Sequence, residues 1–240
     1  MNPRTATEAK KIAADLKKIA AKTKNTETVI CPPFVYLPLL APLVSANISL
    51  GAQNAFAEPL GAYTGEVSFA QLPQFNVDFV VVGHSERRAM GETDEIVNKK
   101  ILAVANAGMS AILCVGEKVR DKQGDYFAAV RGQIVSALKN FSKKSLGRLV
   151  IAYEPVWAIG AGSAMKTGDI HEMFIFVKKV LREIYGLPGS DVRILYGGSV
   201  TSENISDIMT NGFVQGVLVG RDSLNAKNFA QIIRTVDETK

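Results

Sequence analysis

LVIAYEPVWAIG, residues 149–160, reads as a buried strand that ends on a charge: an apolar run closing on Tyr153, then the carboxylate of Glu154, then Pro155, Trp157 and a glycine-bearing loop. A continuous apolar run of this kind belongs to a strand covered on both faces, as in parallel sheets. The pattern recurs as TVIC (28–31), ISLGA (48–52), FVVV (79–82), AILCV (111–115), VRILY (192–196) and GVLVG (216–220), with segments of helical period between the runs. Several runs end in polar or glycine clusters: GAQN, VVGHS, CVGE, AYEP, LYGGS and LVGRDS. Strands alternating with helices predict a βα barrel, whose strands present their C-terminal ends on one face. The clusters then meet there as an active site.

With 240 residues, 47% of them hydrophobic, the chain can bury one sizeable core, and no Pro/Gly/Ser-rich linker divides it, so residues 1–240 are expected to form a single domain. The net charge of +5 comes largely from scattered lysines, Lys10, Lys11, Lys17, Lys18, Lys22 and Lys24 among them, around a helix near the start. That is the composition of a solvated helix face, not of a nucleic-acid site. Cys31 and Cys114 lie in apolar runs without a Cys-x-x-Cys or a zinc-spaced His cluster, so neither a disulfide nor a metal is expected. MNPRTATEAKK lacks a signal-peptide core, and no run approaches the ~18 apolar residues of a membrane span. A cytoplasmic protein is expected.

Seven strands are read where a closed barrel needs eight, and the chain opens on a helix. Asn2 and Pro3 suit an N-cap and first helical residue ahead of an amphipathic run from Ala6 to about Thr23. Without a strand ahead of this helix, two sheet edges stay unpaired.

Glu154, at a strand end and ahead of a glycine loop, suits a catalytic base under a lid whose Gly160 and Gly162 allow a pivot. His84 ends the run FVVV just before Ser85 and Glu86, a helix start, where the helix dipole disfavours a charged ring and leaves a neutral hydrogen-bond donor. Gly197, Gly198 and Ser199, and then Gly220 with the amides after it, suit an anion-binding nest. A carboxylate base, a neutral electrophile, a phosphate nest and a lid together describe proton abstraction beside the carbonyl of a small phosphorylated substrate.

AYEPVWAIG, GHSERR (83–88), YGGSV (196–200) and VGRDSL (219–224), with AQN (52–54), GAYTGE (61–66) and CVGE (114–117), resemble the triosephosphate isomerase family along nearly the whole chain. The resemblance implies an aldose-ketose isomerase interconverting dihydroxyacetone phosphate and D-glyceraldehyde 3-phosphate through an enediolate, without a cofactor. It assigns Glu154 as base, His84 as electrophile, and Gly160, Gly198, Ser199, Gly220 and Arg221 as phosphate-contacting positions. It places Thr64 on a loop reaching into a partner subunit and implies a homodimer.

The resemblance also implies an α/β fold of the (βα)8 TIM barrel type lacking its first β-strand, because the family's Asn-x-Lys segment directly precedes the Met-Asn pair that stands here as Met1 and Asn2. Glu86, expected to pair with that lysine, is then left unpartnered, and losing one such electrostatic donor costs about 100- to 1000-fold in turnover. Ala161 and Ser163 replace the family's usual lid threonine and lysine, and Arg221 replaces a common glycine, so its backbone must suit a non-glycine residue. Two other readings stand beside this one: a catalytically impaired barrel that only binds a phosphorylated ligand, and a different barrel enzyme with another base than Glu154.

Overall fold

The computed structural model describes residues 2–45, 47–159 and 165–239. Six strands, β1 (Thr28–Ile30), β2 (Ile48–Ala52), β3 (Val77–Val82), β4 (Ser110–Val115), β5 (Leu149–Tyr153) and β6 (Arg193–Tyr196), alternate with helices. The helices are α1 (Ala6–Ala20), α2 (Leu37–Leu40), α3 (Ser85–Ala89), α4 (Asp94–Asn106), α5 (Asp125–Ala137), α6 (Thr167–Tyr185), α7 (Ile205–Asn211) and α8 (Ala226–Glu238). Each strand pairs in parallel with its neighbours in sequence, in the order β1-β2-β3-β4-β5-β6.

The two faces of the strands bury different cores. Val80, Val82, Leu113, Val115, Ile151 and Tyr153 point outward into a layer shared with the helices, against Ile101, Ile170, Met173 and Val177. The intervening residues Phe79, Val81, Ile112, Cys114, Val150 and Ala152 form a separate inner cluster, joined by Val29 and Cys31 from one end of the sheet and Leu195 and Leu218 from the other. Side chains from both ends of a sheet can share one cluster only if the sheet curls around it. This is why the apolar runs lack alternation: both faces are dry.

The seventh run, residues 216–220, takes the position after β6 but makes only one bridge, Tyr196 with Val217. Tyr196 donates its amide to Gly216 (3.1 Å) and accepts from Leu218 (2.9 Å). Among the described residues the segment has this one strand neighbour, as β1 has only β2. Both edges line a cavity of about 830 Å³ that α1 and α8 cover from outside. The ends of the chain are tied across it: Asp237 accepts the amides of Lys24 and Asn25 at 3.1 and 2.7 Å.

The first helix begins later than Asn2 and Pro3 suggest. Thr5 is its N-cap, accepting the Glu8 amide at 3.1 Å, while Glu8 takes the Arg4 amide at 2.7 Å. Thr-x-x-Glu satisfies two orphan amides at once, which Asn2-Pro3 cannot do. Ala9, Ala13, Leu16 and Ala20 then fall on one buried face.

Ile151, with no exposed surface, anchors the outer layer. Ile151→Ala should lower the urea unfolding free energy by about 2–5 kcal/mol through lost burial and a residual cavity. Val135→Ala, at an exposed position of α5, should change it by less than about 0.5 kcal/mol.

Candidate active site

Register between β4 and β5 places the carboxylate. Cys114 lies opposite Ala152 and Val115 opposite Tyr153, and the ladder continues one step beyond the strands, with the Glu154 amide donating to the Val115 carbonyl at 2.8 Å. Position 116 then falls against the Glu154 backbone, where a Cβ would overlap the Glu154 carbonyl. Gly116 is in turn held by both groups of the Gln133 amide, at 2.8 and 3.0 Å. On the other side, a Cβ at Gly197 would lie 2.8 Å from Glu154 Cγ. The glycines of CVGE and YGGS therefore make room for one residue, Gly116 for its backbone and Gly197 for its side chain.

Glu154 is 2% exposed. Its Oε2 accepts the Ser85 amide at 3.1 Å, and Oε1 lies 3.2 Å from His84 Nε2. Burial raises its pKa above the ordinary carboxylate value, and His84, the Ser85 amide and the Cys114 thiol oppose that rise in part. The same contact acts on Cys114, whose thiol pKa is pushed well up, first by burial and then by the Glu154 charge.

His84 caps the helix that follows it. Its Nδ1 accepts the Glu86 amide at 3.2 Å, which assigns the ring proton to Nε2, the nitrogen facing Glu154. Glu86 itself is exposed and lines the same cavity, and among the described residues it makes no ion pair.

Gly197, Gly198, Ser199, Gly220 and Arg221 line that cavity together with Glu154 and His84. Asn204 braces the first loop, donating to the Ser199 carbonyl and accepting the Thr201 amide, both at 2.8 Å. In the second loop Ser223 closes a turn onto the Gly220 carbonyl, its hydroxyl at 2.6 Å. Arg221 begins a 3-10 turn without a positive φ, so its backbone suits a non-glycine residue. Gly160, Ala161, Gly162 and Ser163 lie outside the described residues. Thr64 is far from this arrangement in sequence and sits in an exposed loop, beside Tyr63, whose ring packs on Phe56.

Other residues at the site were not singled out by the sequence. Gln53 lines the cavity and donates to the Cys31 carbonyl at 3.0 Å, holding the end of β1. Glu117, 2% exposed, accepts from Tyr153 and Trp157 on either side of Glu154. Its signal was available: a carboxylate after Cys-Val-Gly, one strand over from Tyr-Glu-Pro-x-Trp. Asn54 instead turns away to bond Lys100 at 2.7 Å, and Lys100 also pairs with Glu92 at 3.3 Å.

Parallel strands that all deliver glycines, a buried carboxylate and a histidine to one cavity define an α/β barrel-type enzyme site at the C-terminal ends of the sheet. The triosephosphate isomerase family model matches residues 1–236, and the chain belongs to that family. It is 43% identical over 233 residues to "Triosephosphate isomerase" of Thermoanaerobacter sp. (strain X514), covering 95% of this chain and 94% of that protein. It is 42% identical over 232 residues to the protein of the same name from Moorella thermoacetica, covering 95% and 93%.

A folded carboxylate pKa above the unfolded one means that the native state holds the proton longer, so stability falls as pH rises from the ordinary carboxylate value through the raised one. Glu154→Gln should therefore melt at a higher temperature than the parent at pH 7, with the difference shrinking as pH is lowered past the ordinary carboxylate range, read by thermal circular dichroism.

Proposed function

We propose that this chain is a triose-phosphate isomerase, moving a proton between adjacent carbons of dihydroxyacetone phosphate and D-glyceraldehyde 3-phosphate. The observation that carries the reading is the 3.2 Å contact of His84 Nε2 with Glu154 Oε1 inside a cavity bordered by two glycine loops. A substrate carbonyl entering between them replaces Glu154 as acceptor of the Nε2 hydrogen. Glu154 is then released to take the proton from the neighbouring carbon. The electrons left behind form the enediol(ate), with its oxygen hydrogen-bonded to His84; the hydroxyl proton passes from one oxygen to the other by way of His84 Nε2, and Glu154 returns the carbon-bound proton to the other carbon. A carboxylate base beside a neutral histidine donor lets one site run acid and base chemistry near neutral pH. No cofactor enters the step.

The amides at Gly198, Ser199, Gly220 and Arg221 would hold the phosphate, with Gly160 beyond them as the family pattern assigns. Glu86 would face the family's lysine. The cavity between β1 and residues 216–220 supports a (βα)8 barrel that lacks its first strand within one domain over residues 1–240. By resemblance that strand carries the lysine. Exposed Leu60, Tyr63 and Met90 support a homodimer in which the Thr64 loop enters the partner. No helix of the described residues is long and apolar enough to cross a membrane, and a cytoplasmic enzyme completes the reading.

The purified chain should convert D-glyceraldehyde 3-phosphate to dihydroxyacetone phosphate, and Glu154→Gln should lower that rate by about 10²–10⁴. An equal rate in both proteins would assign the turnover to a host contaminant or to another base. Absence of turnover in the parent, restored on adding a strand ending in Asn-x-Lys, would locate the deficit in the missing segment.

A further inference from the structure

Arg120 lies in the loop after β4, away from the cavity, yet its side chain is only 16% exposed. Three carboxylates surround it. Glu172 Oε2 at 2.6 Å and Asp169 Oδ1 at 3.7 Å come from the first two turns of α6, and Glu117 Oε1 lies at 3.9 Å. The guanidinium is stacked over the Tyr126 ring, 4.2 Å from its centre. Nη2 bonds Glu172, while Nη1 is buried without a hydrogen-bond partner and faces Glu117.

Glu117 is the link to the chemistry. Its two oxygens accept the Tyr153 hydroxyl at 2.9 and 3.0 Å, and Oε1 also accepts the Trp157 indole at 2.8 Å. Its carbonyl takes the Val156 amide at 3.0 Å. One carboxylate thus grips the residue before Glu154 and the turn after it. A carboxylate this buried needs a cation as well as donors. Among the described residues the only ion pair it makes is with Arg120.

We propose that Arg120 is a positioning residue for the base: its charge keeps Glu117 in place, and Glu117 sets Tyr153 and Trp157 and thereby Glu154. The pairs with α6 and the stack on Tyr126 hold the guanidinium where it can do so. The kinetic consequence rests on the isomerase reading above, but the structural one does not.

The chain has a single tryptophan, so fluorescence reads position 157 alone. Arg120→Met, Arg120→Lys, Glu117→Gln and the double variant Arg120→Met/Glu117→Gln are compared with the parent for acrylamide quenching, thermal unfolding and isomerase kinetics. Arg120→Met should unfold cooperatively with parental circular dichroism, show increased quenching, and lose about tenfold in kcat with KM changed by less than about threefold. Arg120→Lys should recover part of both losses. In the Glu117→Gln background, Arg120→Met should add little, because its effect passes through that carboxylate. Parental quenching in folded Arg120→Met overturns the proposal, as does an Arg120→Met effect undiminished beside Glu117→Gln. Should Arg120→Met unfold the chain, Asp169→Asn/Glu172→Gln decides: it cuts the ties to α6 and leaves Arg120 beside Glu117, so quenching stays parental. A marked rise there assigns Arg120 to holding α6 and overturns the proposal. No turnover in any protein, parent included, together with raised quenching in Arg120→Met, supports the placement of Arg120; if adding a strand ending in Asn-x-Lys also restores no turnover, the isomerase reading is overturned.

Discussion

The structure turns on the parallel register between β4 and β5. It carries the hydrogen-bond ladder one residue past the end of β5, to Glu154, and so fixes the backbone of that residue against Gly116. Once the backbone is fixed there, the side chain has one direction left, toward His84 and the Ser85 amide. A slip of one residue would exchange the inner cluster for the outer layer and turn the carboxylate into the helices. The apolar division of Ile112 and Cys114 from Leu113 and Val115 therefore protects the site as well as the core.

Two buried carboxylates lie close together in the chain's fold and are treated in opposite ways. Glu117 is surrounded by donors, from Tyr153 and Trp157, and by the charge of Arg120. Glu154 has a backbone amide and a histidine, and no arginine or lysine among its described partners. One is tied by hydrogen bonds on both sides of Glu154. The other is left with burial outweighing its partners, which is the condition a proton acceptor requires.

Much of this was legible in the sequence because strand ends in a parallel barrel share one face. Glu154, His84 and the two glycine loops sit far apart along the chain and still line one cavity. The five fully assigned parallel pairings followed from apolar runs that do not alternate. The seventh run was harder to read, since its residues bridge to β6 at a single point and a lone partner leaves it without a regular ladder. The helix start was misplaced because Asn2-Pro3 and Thr5-x-x-Glu8 are both plausible caps locally, and only the reciprocal bonds to the Arg4 and Glu8 amides decide. Gln53 was within reach, in the strand-end cluster GAQN, but Arg120 was not: nothing in a loop such as EKVRDKQG says that its arginine will meet two carboxylates from a helix fifty residues on. That is a property of the assembled layers and of no single segment.

Strands that pair only with their sequence neighbours have a consequence for how the chain is made. Each new unit emerging from the ribosome finds its docking surface already present in the one before, so the sheet can grow vectorially as synthesis proceeds. The packing of α1 on α8 and the bonds from Lys24 and Asn25 to Asp237 are of another kind, for they join segments more than two hundred residues apart. They form only once the last helix has left the exit tunnel. Emergence of the last helix, not the appearance of the buried carboxylate, is then the event that fastens these two segments together.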